Sequence, residues 1–334
     1  MGGNAIKIAE RVKRDKFFKY SEEIIPRVES AFNTKVAMVN GYHNKQDFGD
    51  LDLLVLHNPN ITDRKEVIEQ EFSPLEINVN SNIISFNYNE LQVDLIFTTE
   101  ENWLPSNYFF HWGDLGNFIG KIVNSYGNLN RHGYSLKYGF DGLKCKLKVN
   151  GKIKHVYITR DSKKVFKFLS LSLDQWLLGF NEKEDMFDYV IGSPLFSYDS
   201  FQWENLNSIN RERNKKRPNY YKFLEYIEPY SDRVIEWGSD INEYLENVKN
   251  FFNKDLVEEM NIFKKEIETE KKIKSKFNGK LVMDKYPNLV GKELGYFIDL
   301  FKSSYTDFSS FVLDNTEEDI MESFSKLLEK ERSE

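Results

Sequence analysis

Apolar residues follow two different periods along the first hundred positions. From residue 4 to 33 they recur at helical spacing, with Ala5, Ile8, Ala9 and Val12 in one run and Ile24, Ile25, Val28, Ala31 and Phe32 in another. That spacing predicts one or two amphipathic helices. The period then shortens. Residues 35–40 read as a short β segment, and DLDLLVL at 50–56 is a compact run of branched residues that predicts a strand. GYHNKQDFG between them is a turn-rich link, 62–69 fits a short helix, 75–86 supplies strand candidates, and LQVDLIF at 91–97 predicts a further strand. A small α/β domain over residues 1–100 follows.

Beyond Glu101 the pattern is mostly helical, around 114–125, 161–170, 183–191, 219–227, 238–275 in pieces, 292–303 and 315–331. One interruption reads as a hairpin at 143–159, where KCKLKV and KHVYIT flank Asn150-Gly151, a strong two-residue turn signal. The expected organisation is therefore α+β, with domains at 1–100, 101–235 and 236–334. Gly and Pro are sparse, at 18 and 8 of 334 residues, which fits an ordered helical second half.

Composition narrows the classes. The single cysteine, Cys145, excludes an internal disulfide and any cysteine-built zinc site. It lies among lysines, a setting expected to lower a thiol pKa. No stretch approaches 18 apolar residues, and the first twenty lack a signal-peptide hydrophobic run. Ile6 stands where a myristoylation signal has Ser or Thr. The expectation is a cytoplasmic protein (in the host cell if the source is a virus), with no membrane partner and an oligomeric state left open, a monomer being plausible. Lys plus Arg is 46 against 53 for Asp plus Glu, a net charge of -7 that argues against a general nucleic-acid binder. The average conceals two basic patches. Residues 144–164 carry eight cations, Lys144, Lys146, Lys148 and Arg160 among them, against Asp161 alone. Residues 211–222 carry six, including Arg213, Lys216 and Arg217, against Glu212. Such clusters fit a nucleic-acid backbone, with Tyr220 and Tyr221 as stacking candidates.

The most informative feature is GDLDLLV at 49–55. Residues two apart on a strand face the same side, so Asp50 and Asp52 project together while Leu51 and Leu53 face the opposite layer. Paired carboxylates repel and lose hydration unless they share a cation. Asp94, in the otherwise apolar run VDLIF, needs a partner that a neighbouring strand could supply. Three carboxylates suit Mg²⁺, with Mn²⁺ as a substitute, and such a cluster serves phosphoryl or nucleotidyl transfer with two ions. In that reading Asp50 and Asp52 bridge both ions, and Asp94 binds the catalytic ion and accepts the proton of the attacking hydroxyl.

The run VNGYHNKQDFGDLDLLV followed by LQVDLIF resembles the nucleotidyltransferase superfamily, which includes family X DNA polymerases, poly(A) polymerases and tRNA nucleotidyltransferases. Gly41 matches the family's turn glycine, and Asp50, Asp52 and Asp94 match its three acids. Gly49-Asp50-Leu51-Asp52 is closest to the family X form. Tyr42 stands where the family has Ser, leaving Asn44 or Lys45 to take over triphosphate contact. YFFHWGDLGNFIGK is similar to the segment after the third acid in family X enzymes. By that resemblance His111 and Trp112 lie at the substrate turn, Asn117 touches the incoming nucleotide and Lys121 the opposing strand. VYITRDSKKVFKFLSL is similar to the segment after the hairpin in those polymerases, where Thr159-Arg160-Asp161 could begin a helix with Asp161 as its cap. NGKLVMDKYPNLVGKELGYFIDLFK is similar to the helical tail of tRNA nucleotidyltransferases, through Gly279, Leu281, Gly291, Leu294 and Gly295, with backbone amides near Gly291 and Lys292 available to a strand.

The resemblance implies a palm-type mixed β-sheet with flanking helices, followed by a mostly helical C-terminal region. It implies transfer of a nucleoside monophosphate from an NTP or dNTP to a DNA or RNA 3′-hydroxyl. Transfer to tRNA, a small molecule or a protein is the alternative, and a non-catalytic nucleic-acid-binding relative the third.

Overall fold

Pairing of Val12 with Phe48 decides where the first helix begins. A computed structural model describes residues 5–215 and 217–333. In chain order its first elements are β1 (Val12–Lys13), α1 (Arg14–Phe32), β2 (Val36–Met38), β3 (Asp47–Phe48), β4 (Asp50–Leu56), α2 (Arg64–Phe72), β5 (Ile77–Asn80), β6 (Ile83–Tyr88) and β7 (Leu91–Thr98). The helical spacing at residues 5–12 does not make a helix. Val12 is buried and pairs across to Phe48, and the helix starts at Arg14 with Phe17 stacked on Phe48 at 3.8 Å between ring centroids.

Five strands form one sheet in the order β2-β4-β7-β6-β5, with β4 and β7 parallel and every other neighbouring pair antiparallel. β7 is buried along its whole length. Leu51, Leu53, Val55, Val93, Leu95 and Phe97 share a core with Phe17, Ile24, Val28 and Phe32 of α1. The alternation of a strand sends Leu54 and Ile96 to the opposite face, where they pack on Trp103. Asp50, Asp52, Gln92 and Asp94 lie on that same second face, nearer the start of both strands.

The chain continues through α3 (Glu100–Phe110), α4 (Leu115–Ser125), a 3₁₀ stretch (Tyr126–His132), then β8 (Tyr134–Gly139), β9 (Gly142–Val149) and β10 (Lys152–Thr159). The expected hairpin is present as β9 and β10, and Asn150 and Gly151 both take positive φ, 50° and 80°, as its two-residue turn requires. β8 adds a third antiparallel strand. The buried face of this sheet holds Leu136, Tyr138, Leu143, Cys145, Leu147, Val156 and Ile158. Cys145 thus sits opposite the lysine face, and burial pushes its thiol up to about 12, reversing the expected lowering.

Helices α5 (Ser162–Phe168), α6 (Leu173–Leu178), α7 (Lys183–Ile191), α8 (Ser208–Lys215), α9 (Pro218–Tyr226) and α10 (Ile241–Phe252) follow. Asp161 caps α5 by accepting from the Lys163 N–H at 3.0 Å, as its sequence position anticipates. The chain divides into two compact units after Leu256, so the expected boundaries at 100 and 235 both fall inside the first. The second unit is helical, α11 (Leu256–Lys276) to α15 (Glu317–Ser333), around its own core of Phe277, Val282, Phe297, Phe301, Ile320 and Phe324. Gly279, Leu281, Gly291, Lys292, Leu294 and Gly295 all lie in this unit, and Gly291 opens a helix at φ 60°. Among the described residues no helix is long and apolar enough to cross a membrane.

Candidate functional site

Strand register assembles the acids. Pairing of β4 with β7 sets Asp52 opposite Asp94 and Asp50 opposite Gln92, while β6 brings Ser85 opposite Asp94 from the other side. One carboxylate oxygen from each of Asp50, Asp52 and Asp94 lies within 4.8 Å of the others. Asp94 is 4% exposed, and Asp50 and Asp52 are half-buried. Burial, with Asp50 adjacent, pushes the Asp52 carboxyl up to about 7. Burial likewise raises Asp94, with hydrogen bonds from Ser85 and Gln92 opposing. Asp52 Oδ1 is enclosed with no hydrogen-bond partner, a costly state for a carboxylate oxygen. An enclosed acceptor, three converging carboxylates and an all-oxygen donor set fit a hard divalent cation.

Gln92 holds the third acid in place. Its Nε2 donates to both Asp94 oxygens, at 2.9 and 3.1 Å, and its Oε1 accepts from the Ala5 and Ile6 N–H groups at 3.0 and 3.1 Å. Backbone N–H groups can only donate and an ionised carboxylate can only accept, so the amide has one orientation. The sequence carried a signal for it: a polar residue two before Asp94 on an otherwise apolar strand shares the carboxylate's face.

A cleft of about 340 Å³ opens over Asp50 and Asp52, with Asp94 buried behind its lining. Gly41, Tyr42 and Lys45 line it from the loop between β2 and β3, Asp50 and Asp52 from β4, Trp112 and Asn117 from the turn and helix after α3, and Arg213 and Arg217 from α8 and the residues beyond it. Arg14, also in the lining, donates to the His43 and Lys45 carbonyls at 2.6 and 3.0 Å and so fixes the loop. Sequence reasoning passed over it because it reads as a solvated helix position. Burial lowers the Lys45 ammonium while Asp50 and Asp52 oppose that shift, and its Nζ lies 4.5 Å from the Phe48 ring centroid.

The opposite wall turns on Trp112. Its φ of 63° is strained for a bulky side chain, and its N–H donates to the Asn40 carbonyl at 2.9 Å, tying the turn to the residue before Gly41. Its indole Nε1 and the Tyr42 hydroxyl are both buried in the cleft wall without partners. Gly113 permits the approach, since a Cβ there would meet the Tyr42 hydroxyl at 2.9 Å. Asp114 organises the mouth: Arg217 forms an ion pair with it, and Asn117 and Asn219 donate to it at 3.3 and 3.4 Å.

Other expected residues stand outside the cleft lining. Asn44 donates its N–H to the Asn181 carbonyl at 2.9 Å, and Gly49 faces the Arg11 side chain. His111 is 6% exposed, with Nδ1 2.7 Å from the Asn107 carbonyl and its ring packed near Trp112 and Trp176. Lys121 lies one turn beyond Asn117, 4.8 Å from the Tyr220 ring centroid, and burial pushes its ammonium down to about 8, with Arg213 and Arg217 adding to the shift. Tyr220 is 1% exposed and bonds the Phe201 carbonyl, so its ring is not free to stack on a base. Lys144, Lys146 and Lys148 occupy the outer face of the three-stranded sheet. Arg160, at the sheet's end, donates to Asn102 and pairs with Glu101, each at 3.2 Å. Lys216 lies outside the described residues.

A scan against protein-family models gives no match to this chain, and a search of curated proteins gives none either.

Proposed function

We propose that the chain is a Mg²⁺-dependent nucleotidyltransferase of family X-like type, built on a palm-type sheet, that moves a nucleoside monophosphate from an NTP or dNTP to a nucleic-acid 3′-hydroxyl. The observation that carries this reading is the register of β4 with β7, which gathers Asp94 beside Asp50 and Asp52, the two acids that line the cleft. Two divalent ions held by these acids would supply an activated hydroxyl and charge neutralisation on the triphosphate. Asp94, held by Gln92 beside Asp50 and Asp52, would take the hydroxyl proton. Lys45, beside Asp50 and Asp52, carries positive charge toward the phosphates. Asn117, in the cleft lining, would touch the nucleotide, and Trp112 and Tyr42 form an aromatic wall with two donors in need of acceptors. Arg213 and Arg217 bring cations to its mouth, where an acceptor backbone would enter.

The test offers the full chain Mg²⁺ or Mn²⁺, each labelled NTP and dNTP, and primers with and without template. Primer extension is expected. Asp94→Asn should keep the fold and lose roughly 10³-fold in rate. A variant as active as wild type would sink the reading. Labelling of a small molecule or protein without extension would move it to the alternative acceptor class.

A further inference from the structure

The three-stranded sheet carries a second organised charge array. Antiparallel register lays three rows across its outer face, each containing a lysine of β9. Lys144 sits between Lys137 and Tyr157, Lys146 between Ser135 and His155, and Lys148 beside Ile153. Lys137 and Lys144 are directly opposed, an arrangement that destabilises a sheet. Burial and Lys146 lower the Lys137 ammonium, while burial and Lys137, Lys144 and Lys146 lower His155. Among the described residues Lys137, Lys146 and Lys148 make no ion pair. Only Lys144 does, with Asp141. Successive rows are ~7 Å apart, a repeat that suits a polyanion with regularly spaced charges better than a single acidic group.

The array is continuous with the cleft. The β8–β9 turn and the end of β10 lie together at one end of the sheet, and there Phe140 stacks on Phe110 with centroids 6.2 Å apart. Phe110 lines the cleft, and Phe140 is 43% exposed. Tyr157 gathers two cations at this end, with Lys144 4.6 Å and Arg160 3.9 Å from its ring centroid. From there the rows lead away to Lys148.

We infer that the outer face of this sheet is a track for a single nucleic-acid strand, its phosphates on the rows of Lys144, Lys146 and Lys148 with Lys137 beside them, and its 3′ end delivered past Phe140 and Phe110 into the cleft. The end placement rests on the transferase reading, whereas the track itself rests on the charge array. It makes the acceptor a polymer several nucleotides long rather than a small molecule. Lys137 and His155 join the sequence-derived lysines because β8 and β10 flank β9.

The test is fluorescence anisotropy of labelled DNA and RNA single strands of about 20 nucleotides, at ~50 to 200 mM salt, with the full chain and with Lys137→Gln/Lys146→Gln/Lys148→Gln. The triple variant should bind at least about tenfold more weakly, and its log–log salt slope should fall by about two. Its melting temperature should be no lower than wild type's, since Lys137→Gln relieves the repulsion with Lys144, and its response to Mg²⁺ should match, separating a lost surface from a lost fold. Equal affinity and slope in both proteins, no binding by wild type, or equal displacement by poly-glutamate or anionic vesicles would overturn the track. Binding that depends on these lysines without nucleotide transfer would leave the track standing and remove the transferase reading. Transfer to long and short acceptors with equal KM in both proteins would do the reverse.

Discussion

The two sheets of the first unit place like charges side by side with opposite signs. In the five-stranded sheet Asp52 stands against Asp94 with Asp50 adjacent; in the three-stranded sheet Lys137 stands against Lys144 with Lys146 and Lys148 on the same face. They differ in depth. Asp94 is buried and Asp50 and Asp52 are half-buried, with one Asp52 oxygen enclosed and orphaned, and the three converge on one point. The lysines are spread over an open face in rows. Convergent charge calls for compact counter-charge. Dispersed charge on a surface calls for an extended one, and its repulsion is tolerable because water screens it.

The comparison can be broken from the acid side first. Beyond the roughly 10³-fold loss at Asp94→Asn, Gln92→Leu should raise the Mg²⁺ concentration needed for half-maximal activity by about 10- to 100-fold, because the third carboxylate loses its anchor. It should also lower stability by about 2 kcal/mol, since Asp94 and the N–H groups of Ala5 and Ile6 lose their partner. An unchanged Mg²⁺ requirement would mean that Asp94 needs no positioning. The lysine side sets an intermediate expectation, the tenfold loss of strand affinity.

Lys121, near Arg213 and Arg217, is half-buried, and desolvation together with those two arginines lowers its ammonium to about 8. Its folded-state pKa lies below the ordinary lysine value, so its contribution to stability is present above about 10.5 and is lost as pH falls through about 8. Lys121→Met should therefore stabilise the protein at pH 7 by about 2 kcal/mol and flatten the rise in wild-type stability between pH 8 and 10. Chemical denaturation across that range reads it. A less stable variant at pH 7 would show that the Tyr220 contact outweighs burial.

Much of this was legible in the chain. DLDLLVL and LQVDLIF announce two buried strands and their acids. The alternation of Lys144, Lys146 and Lys148 announces one charged face, and Asn150-Gly151 announces the turn. The same alternation put Cys145 on the opposite face, where burial governs its thiol. What was hidden depends on segments far apart in sequence. Lys137 entered the array only because β8 pairs with β9. Gln92 matters through Ala5 and Ile6, and Arg14 through the carbonyls of the 43–45 loop. Helix α3 was obscured by Pro105 and a run of aromatics that masks its period. α1 begins late because a strand pairing, which periodicity does not register, claims Val12.

Whether Asp50, Asp52 and Asp94 form a cation site is read from thermal unfolding with and without a divalent ion. Mg²⁺ or Mn²⁺ at a hundredfold excess over its Kd should stabilise the wild-type chain by ~2.7 kcal/mol, read as a rise of several degrees in Tm. Asp52→Asn, freed of an enclosed charge, should be at least as stable as wild type in chelator and should gain nothing from either ion. A wild-type Tm that ignores both ions, or an equal rise in the variant, would contradict the account.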